Sequence, residues 1–358
     1  MKTKSDCKIA ALVLAAVIAC LLLSACGPKM PEQTGQIYLY GEIHNCEIIY
    51  EKEFELWSEY YHERGLRHLF IEWPYFTAEF TNLWMQSDND DILFWAFGEP
   101  EAQDPAWKFL KEIKAECPET VFHGTDVGDG YDTFGPRYLE YLESIGQKDS
   151  EQYRLAQENM EQGRLAYGDE NGAYQEDGKD WDWAYREDKM AENFAREMDS
   201  LGQVDVMGIY GTAHVKPGLK DTTGKVPNMT TQLQEQYGER VHTELVADLI
   251  TEGYRTDTIE MGGKEYAAQY FGKIIMYGEP DCDYMEYWRL EDAFEDVKDM
   301  RSLYSYLAYD RFPLKVEDGQ VFLVENTLSD GSQNRWFYRA DGLAMGGELV
   351  AECFDPYR

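Results

Sequence analysis

Positive charge is scarce in this chain, and so is histidine. Its 358 residues include 33 lysines and arginines against 68 aspartates and glutamates, a formal net charge of −35, and six histidines. Nucleic acid is a poor partner for such a surface, because binding a phosphate backbone needs basic side chains to displace counterions. Anionic lipid headgroups are repelled for the same reason. The acidity says little about substrate, since surface carboxylates mainly serve solubility. Apolar residues are not lacking: 44% hydrophobic and 14% aromatic composition is ample for a packed core, so disorder is not the default.

One long apolar run, Ile9 to Leu23, follows Lys2, Lys4 and Lys8 and ends in Leu23-Ser24-Ala25-Cys26. It resembles a bacterial lipoprotein signal with its lipobox. That resemblance implies cleavage before Cys26, lipidation of its sulfur, and an extracytoplasmic protein lipid-anchored to the bacterial cell membrane. An uncleaved signal anchor is the alternative. Residues 1–25 are then the signal peptide and 26–35 a tether containing Pro28 and Pro31. Cleavage removes three lysines and one aspartate, leaving 67 acidic against 30 basic residues, a net charge of −37. Beyond Cys26 stand Cys46, Cys117, Cys282 and Cys353, which allow three full disulfide pairings. Cys282 with Cys353 is the expected pair, and free thiols are the alternative.

From 36 to 255 strand and helix patterns alternate, which predicts an α/β core with a mostly parallel central sheet flanked by helices. Strands are expected at Ile37 to Tyr40, Arg67 to Ile71, Thr120 to His123, Val204 to Tyr210 and Arg240 to Leu249. Helices are expected at Glu47 to Arg64, Tyr75 to Met85, Asp104 to Glu116, around Ser150 to Gln162, at Trp183 to Ser200 and near Met229 to Tyr237. Gly168 to Gly178 reads as a polar connector. From 256 to 358 tyrosines crowd in, and short alternating runs flank turns at Asp318-Gly319 and Asp330-Gly331. This predicts an appended C-terminal α+β region, with a helix at Glu286 to Arg301, positioned to cover the site.

Four strands in succession end on polar residues: His44, Glu72, the pair His123 and Asp126, and His214. Two of them close the same pattern, Gly41-Glu42-Ile43-His44 and Gly211-Thr212-Ala213-His214. The carboxyl ends of parallel strands share one edge, so these residues are expected to meet there. Gly41, Gly124 and Gly211 let backbone and ligand approach closely. Two histidines and a carboxylate can hold a divalent metal such as Zn, Mn or Co and acidify its water. The same residues without metal can act as general base and acid. His62, His68 and His242 read as structural. On a helix Arg186, Met190 and Asn193 share one face, which brings a guanidinium and an amide to one side.

These motifs, with Glu72 followed by Trp-Pro, resemble in order and spacing the superfamily that joins erythromycin esterase-like proteins, Tiki and TraB/pheromone-shutdown proteins, and ChaN-like haem-uptake lipoproteins. The likeness spans roughly 36 to 250 and implies an α/β core with its site at the strand ends. Tiki-like members imply a metal-dependent peptidase with His44, Glu72 and His214 as ligands. Erythromycin esterase-like members imply metal-free lactone hydrolysis with His44 as base. ChaN-like members imply a non-catalytic haem- or metal-binding lipoprotein, although no axial haem ligand stands out. The expectation is a hydrolase of an ester or amide bond in a small-molecule or peptide substrate, built on His44, Glu72 and His214. Asp126 would orient a histidine and Arg186 would stabilise developing negative charge.

Overall fold

The computed structural model describes residues 35–98, 104–168, 181–276, 281–308, 311–345 and 348–357. The signal, Cys26, nearly all of the tether and most of the connector expected at Gly168 to Gly178 lie outside them. Among the described residues no helix is long and apolar enough to cross a membrane.

Five strands form the first sheet: β1 (Ile37–Glu42), β2 (His68–Pro74), β3 (Val121–Asp126), β4 (Val206–Gly211) and β5 (Val241–Leu245). They pair entirely in parallel in the order β3-β2-β4-β1-β5, so every carboxyl end lies on one edge. The connecting helices are α1 (Glu47–Glu63), α2 (Tyr75–Met85), α3 (Asp91–Phe97), α4 (Pro105–Glu116), α5 (Phe134–Ser144), α6 (Glu151–Tyr167), α7 (Trp183–Leu201), α8 (Thr212–Val215) and α9 (Met229–Tyr237). Side chains alternate between the two faces of a strand, and here both faces are buried. Leu39 and Phe70 pack against Met190, Phe194 and Met198 of α7, while Tyr40, Leu69 and Ile71 join Trp57 of α1 and Phe109 and Ile113 of α4. Each fully buried ring or aliphatic side chain contributes about 1.5–3 kcal/mol.

Helix ends follow local chemistry. Asp182 caps α7 by accepting from the Tyr185 N–H at 3.1 Å. Gly65, with φ of 75°, turns the chain out of α1 so that the Leu66 N–H reaches back to the Tyr60 carbonyl at 3.1 Å.

Beyond β5 the chain builds a second sheet, wholly antiparallel. Its strands are β6 (Arg255–Met261), β7 (Lys264–Ile275), β8 (Tyr284–Leu290), β9 (Ser302–Ala308), β10 (Val321–Thr327), β11 (Gln333–Arg339), β12 (Ala344–Met345) and β13 (Glu348–Phe354). They run β12-β13-β11-β10-β8-β7-β6, with β9 paired to β13. The C-terminal region is therefore mostly strand rather than evenly α+β. The helix expected at Glu286 to Arg301 is corrected: β8 occupies its first residues, and only the single turn α10 (Phe294–Val297) follows. Tyr287, Trp288 and Leu290 are buried because β8 lies inside the sheet between β7 and β10, where aromatic side chains pack well.

The expected pairing of Cys282 with Cys353 is also overturned. All four cysteines are free thiols, and β10 and β11 separate the start of β8 from β13.

The two sheets meet at the loop that follows β1. Cys46 bridges Ile274 of β7, and the Ile275 N–H donates to the Asn45 carbonyl at 3.0 Å. Asn45 holds φ of 60° there, a left-handed conformation that asparagine tolerates better than most residues. Phe271, Tyr287 and Phe312 share one core with Ile49 and Trp57.

Candidate active site

The shared carboxyl edge brings His44, Glu72, Asp126, Arg186 and His214 together on one cavity of about 540 Å³. His44 lies just past β1 and His214 on α8 just past β4. Glu72 and Asp126 belong to β2 and β3, both of which run further than their apolar residues alone predict. Pro74 closes β2 by pairing with Asp126 across an irregular step, rather than ending the ladder before it.

Glu72 is the hub. Its Oε2 accepts the Gly211 N–H at 2.6 Å, and its Oε1 lies 2.6 Å from Arg186 Nη2, 3.3 Å from His214 Nε2 and 3.7 Å from His44 Nε2. Arg186 in turn grips Asp126 in a fork, Nε to Oδ1 at 3.0 Å and Nη2 to Oδ2 at 2.7 Å. Burial alone would raise the Glu72 pKa, but His214, His44 and Arg186 hold it well below the usual carboxylate range.

Each histidine has its own carboxylate behind it, and composition hid both partners. His44 Nδ1 lies 2.7 Å from Glu42 Oε1, and His214 Nδ1 lies 2.6 Å from Glu187 Oε1. Glu187 is steadied in turn by the Met229 N–H, which donates to its Oε2 at 2.7 Å. Both Nε2 atoms therefore face Glu72, with Nδ1 committed to a carboxylate. The Glu42 charge, with that of Glu72, pushes the His44 pKa up to about 10. Burial lowers that of His214, as does the Arg186 guanidinium 3.2 Å from its Nε2, yet Glu72 and Glu187 outweigh both and raise it to about 9. The His44 side chain is 53% exposed against 10% for His214, so His44 is the ring more open to solvent.

The site also tests whether these residues fit the divalent ion that two histidines and a glutamate suggest. Arg186 already directs a guanidinium at the Glu72 oxygen and at His214 Nε2, where a second cation would be repelled. The carboxylates beside the two rings also favour their protonated forms, which compete with a metal ion for the ring nitrogens. Among the described residues no group of three or more His, Cys, Asp or Glu has the geometry to hold a metal. The donor set as placed does not fit a metal.

Above this polar floor the walls are aromatic. Tyr167, Trp181 and Trp183 form one contiguous side, with ring centroids 5.1 and 5.0 Å apart, and Trp73 against Phe97 at 4.9 Å forms another. No residue beyond His214 lines the cavity among the described residues, so the second sheet does not contribute to these walls.

Of the polar pair on β3, only Asp126 reaches the site. His123 points to the other side, with Nε2 3.0 Å from His68 Nδ1 and Nδ1 3.3 Å from Glu197, its ring stacked on Phe70. Burial, then the neighbouring His123, pushes the His68 pKa down to about 4. Asn193 also faces the sheet, donating to the Thr125 carbonyl, and Met190 beside it is fully buried.

Gly211 matters for a specific reason. A Cβ built there lies 3.1 Å from His44 Nε2 and 3.3 Å from Glu72 Oε2, between the ring and the hub. Gly211→Ala is expected to lower turnover about 10- to 100-fold by shifting His44 a few tenths of an ångström, while thermal unfolding moves little. An alanine variant with unchanged kcat would show that the His44–Glu72 approach is not used in catalysis.

No protein-family model matches the chain, and no curated protein matches it. Similar solved structures include a Bacillus cereus protein at 12% identity, covering 73% of this chain and 78% of that one with a TM-score of 0.40. A succinoglycan biosynthesis protein is similar at 13% identity, 65% and 70% coverage and a TM-score of 0.40. A mutant of the erythromycin esterase EreC in its open conformation is similar at 13% identity, 90% coverage of each chain and a TM-score of 0.46. At that distance the chemistry has to come from the residues themselves.

Proposed function

We propose that this chain is a metal-independent hydrolase of carboxylic esters. The observation that carries the reading is the pair of carboxylate-backed histidines whose Nε2 atoms face one buried glutamate at the foot of an aromatic-walled cavity. Glu42 holds His44 as the tautomer with hydrogen on Nδ1, so its deprotonated Nε2 can take a proton from water. The water oxygen adds to the ester carbonyl, and negative charge gathers on the carbonyl oxygen. Arg186 and protonated His214 present their N–H groups to that charge. The ester C–O bond then breaks, His214 Nε2–H protonates the departing alkoxide, and acid and alcohol are left. Glu72 and Asp126 keep the cations in place, and the aromatic walls suit a substrate with broad apolar or ring surfaces.

The pH profile follows from the two rings. His44 must be neutral, which favours rate as pH rises toward about 10, and His214 must be protonated, which is lost above about 9. The expected kcat/KM on a chromogenic ester climbs about tenfold per unit through the neutral range, peaks between 9 and 10, and is unchanged by chelator or added divalent ions. A maximum near pH 7, or activity that returns only when metal is restored to chelated protein, would overturn the assignment.

The leader adds a location: the enzyme acts outside the cytoplasm, held to the membrane through a lipid on Cys26. Metabolic labelling with a fatty acid checks this, since incorporation should vanish in Cys26→Ser, and label persisting in that variant would rule the anchor out.

A further inference from the structure

Glu53 sits where an acid is least at home. It interrupts the apolar stripe Ile49, Trp57 and Tyr60 on α1, is 1% exposed, and finds the carboxyl group of Glu42 as its polar neighbour. Glu42 is itself buried, and one of its oxygens, Oε1, is taken by His44 Nδ1. Its other oxygen, Oε2, has no donor, and neither has Glu53 Oε1. Two buried carboxylates in contact repel unless a proton lies between them, and one shared proton satisfies both orphaned oxygens. Burial first, and then the charge of Glu42, raises the pKa of Glu53 well above the carboxylate range, so the proton resides on Glu53.

We propose that Glu53 is a positioning residue of the site: as a neutral acid it donates a hydrogen bond to Glu42 and so fixes the carboxylate that holds His44. The chain runs from the Glu53 hydroxyl to Glu42 Oε2, across that carboxylate to Oε1, and on to His44 Nδ1, with Glu72 and Arg186 facing the ring from the other side. The donated bond draws charge away from Oε1. Glu53 therefore helps to set how tightly His44 holds its proton without touching substrate. The consequence for rate rests on the reading of His44 as base, whereas the hydrogen bond does not.

The test needs no substrate. In the full chain, an infrared difference spectrum between wild type and Glu53→Gln should contain the C=O stretch of a protonated, buried carboxylic acid. The His44 ring, assigned by the signal lost in His44→Gln, is then titrated by NMR in Glu53→Gln and Glu53→Leu. Glutamine keeps an N–H donor toward Glu42, so its midpoint should stay within a few tenths of a unit of wild type. Leucine removes the donor and should raise the midpoint by about one unit, a tenfold change in proton affinity. Absence of the acid band, or equal shifts in both variants, overturns the proposal. If leucine does not fold, the band and the glutamine titration still decide it. A band and a shift in a protein that cleaves no ester would sink the hydrolase reading and leave this one standing.

Discussion

Arg186→Gln should unfold at a lower urea concentration, with a stability loss of about 3–5 kcal/mol and an unchanged m-value. The reason lies in what stays behind. Arg186 pairs with Asp126 through two nitrogens and with Glu72 through one, and both carboxylates are buried. Removing the cation leaves Asp126 without its counter-ion in low dielectric and Glu72 with only the two histidines opposite it, and truncating one partner of such a cluster costs more than the intact cluster contributes. The sign of the pH effect is fixed too. In wild type the depressed Glu72 pKa contributes stability above its unfolded value of about 4.5, and that contribution is lost as pH falls through the folded value. The gap between variant and wild type should therefore be widest near neutrality and narrow in acid. A variant as stable as wild type at pH 7 would mean that the cluster is far better hydrated than its burial implies.

His44→Gln should lower kcat by about 10²- to 10⁴-fold with little change in KM, the usual contribution of a positioned general base. The side chain is half exposed, so folding should survive, and the glutamine amide keeps a donor near Glu42. His214→Gln should cost a comparable factor but should also remove the alkaline fall of the profile, because that limb belongs to its proton. If His44→Gln retains most of its turnover, the base lies elsewhere, and the water-activation scheme fails with it.

The meeting of His44, Glu72, Asp126, Arg186 and His214 was foreseeable from residues because each breaks an apolar pattern at a strand end or shares a helix face with buried neighbours. Glu42 and Glu187 do not stand out as partners in a chain with 68 acidic residues. Yet the signal was there for Glu187 and Glu53, since each falls within the apolar stripe of its helix: Ala184, Met190 and Phe194 around the first, Ile49 and Trp57 around the second. A carboxyl on the buried side of a helix has to find a proton or a partner. Helix α3 is not legible in the sequence because seven residues span too few turns to show a period. The second sheet misled for another reason: Tyr284 to Leu290 can alternate as a strand or wrap as a helix, and its neighbours β7 and β10, formed by distant residues, decide.

The hydrogen bond from Ile275 to Asn45 has a consequence in time. Asn45 follows His44 directly, and its left-handed turn is pinned by a strand that belongs to the other sheet and is made much later in the chain. Every strand of the parallel sheet precedes Ile275 in the chain, so that sheet can assemble with its carboxyl edge in place while the His44 loop is still unset. In a refolding experiment ester hydrolysis should return after the far-UV signal of the core, in step with the second sheet. A sheet that contributes nothing to the cavity walls would thereby determine when the proposed site is complete.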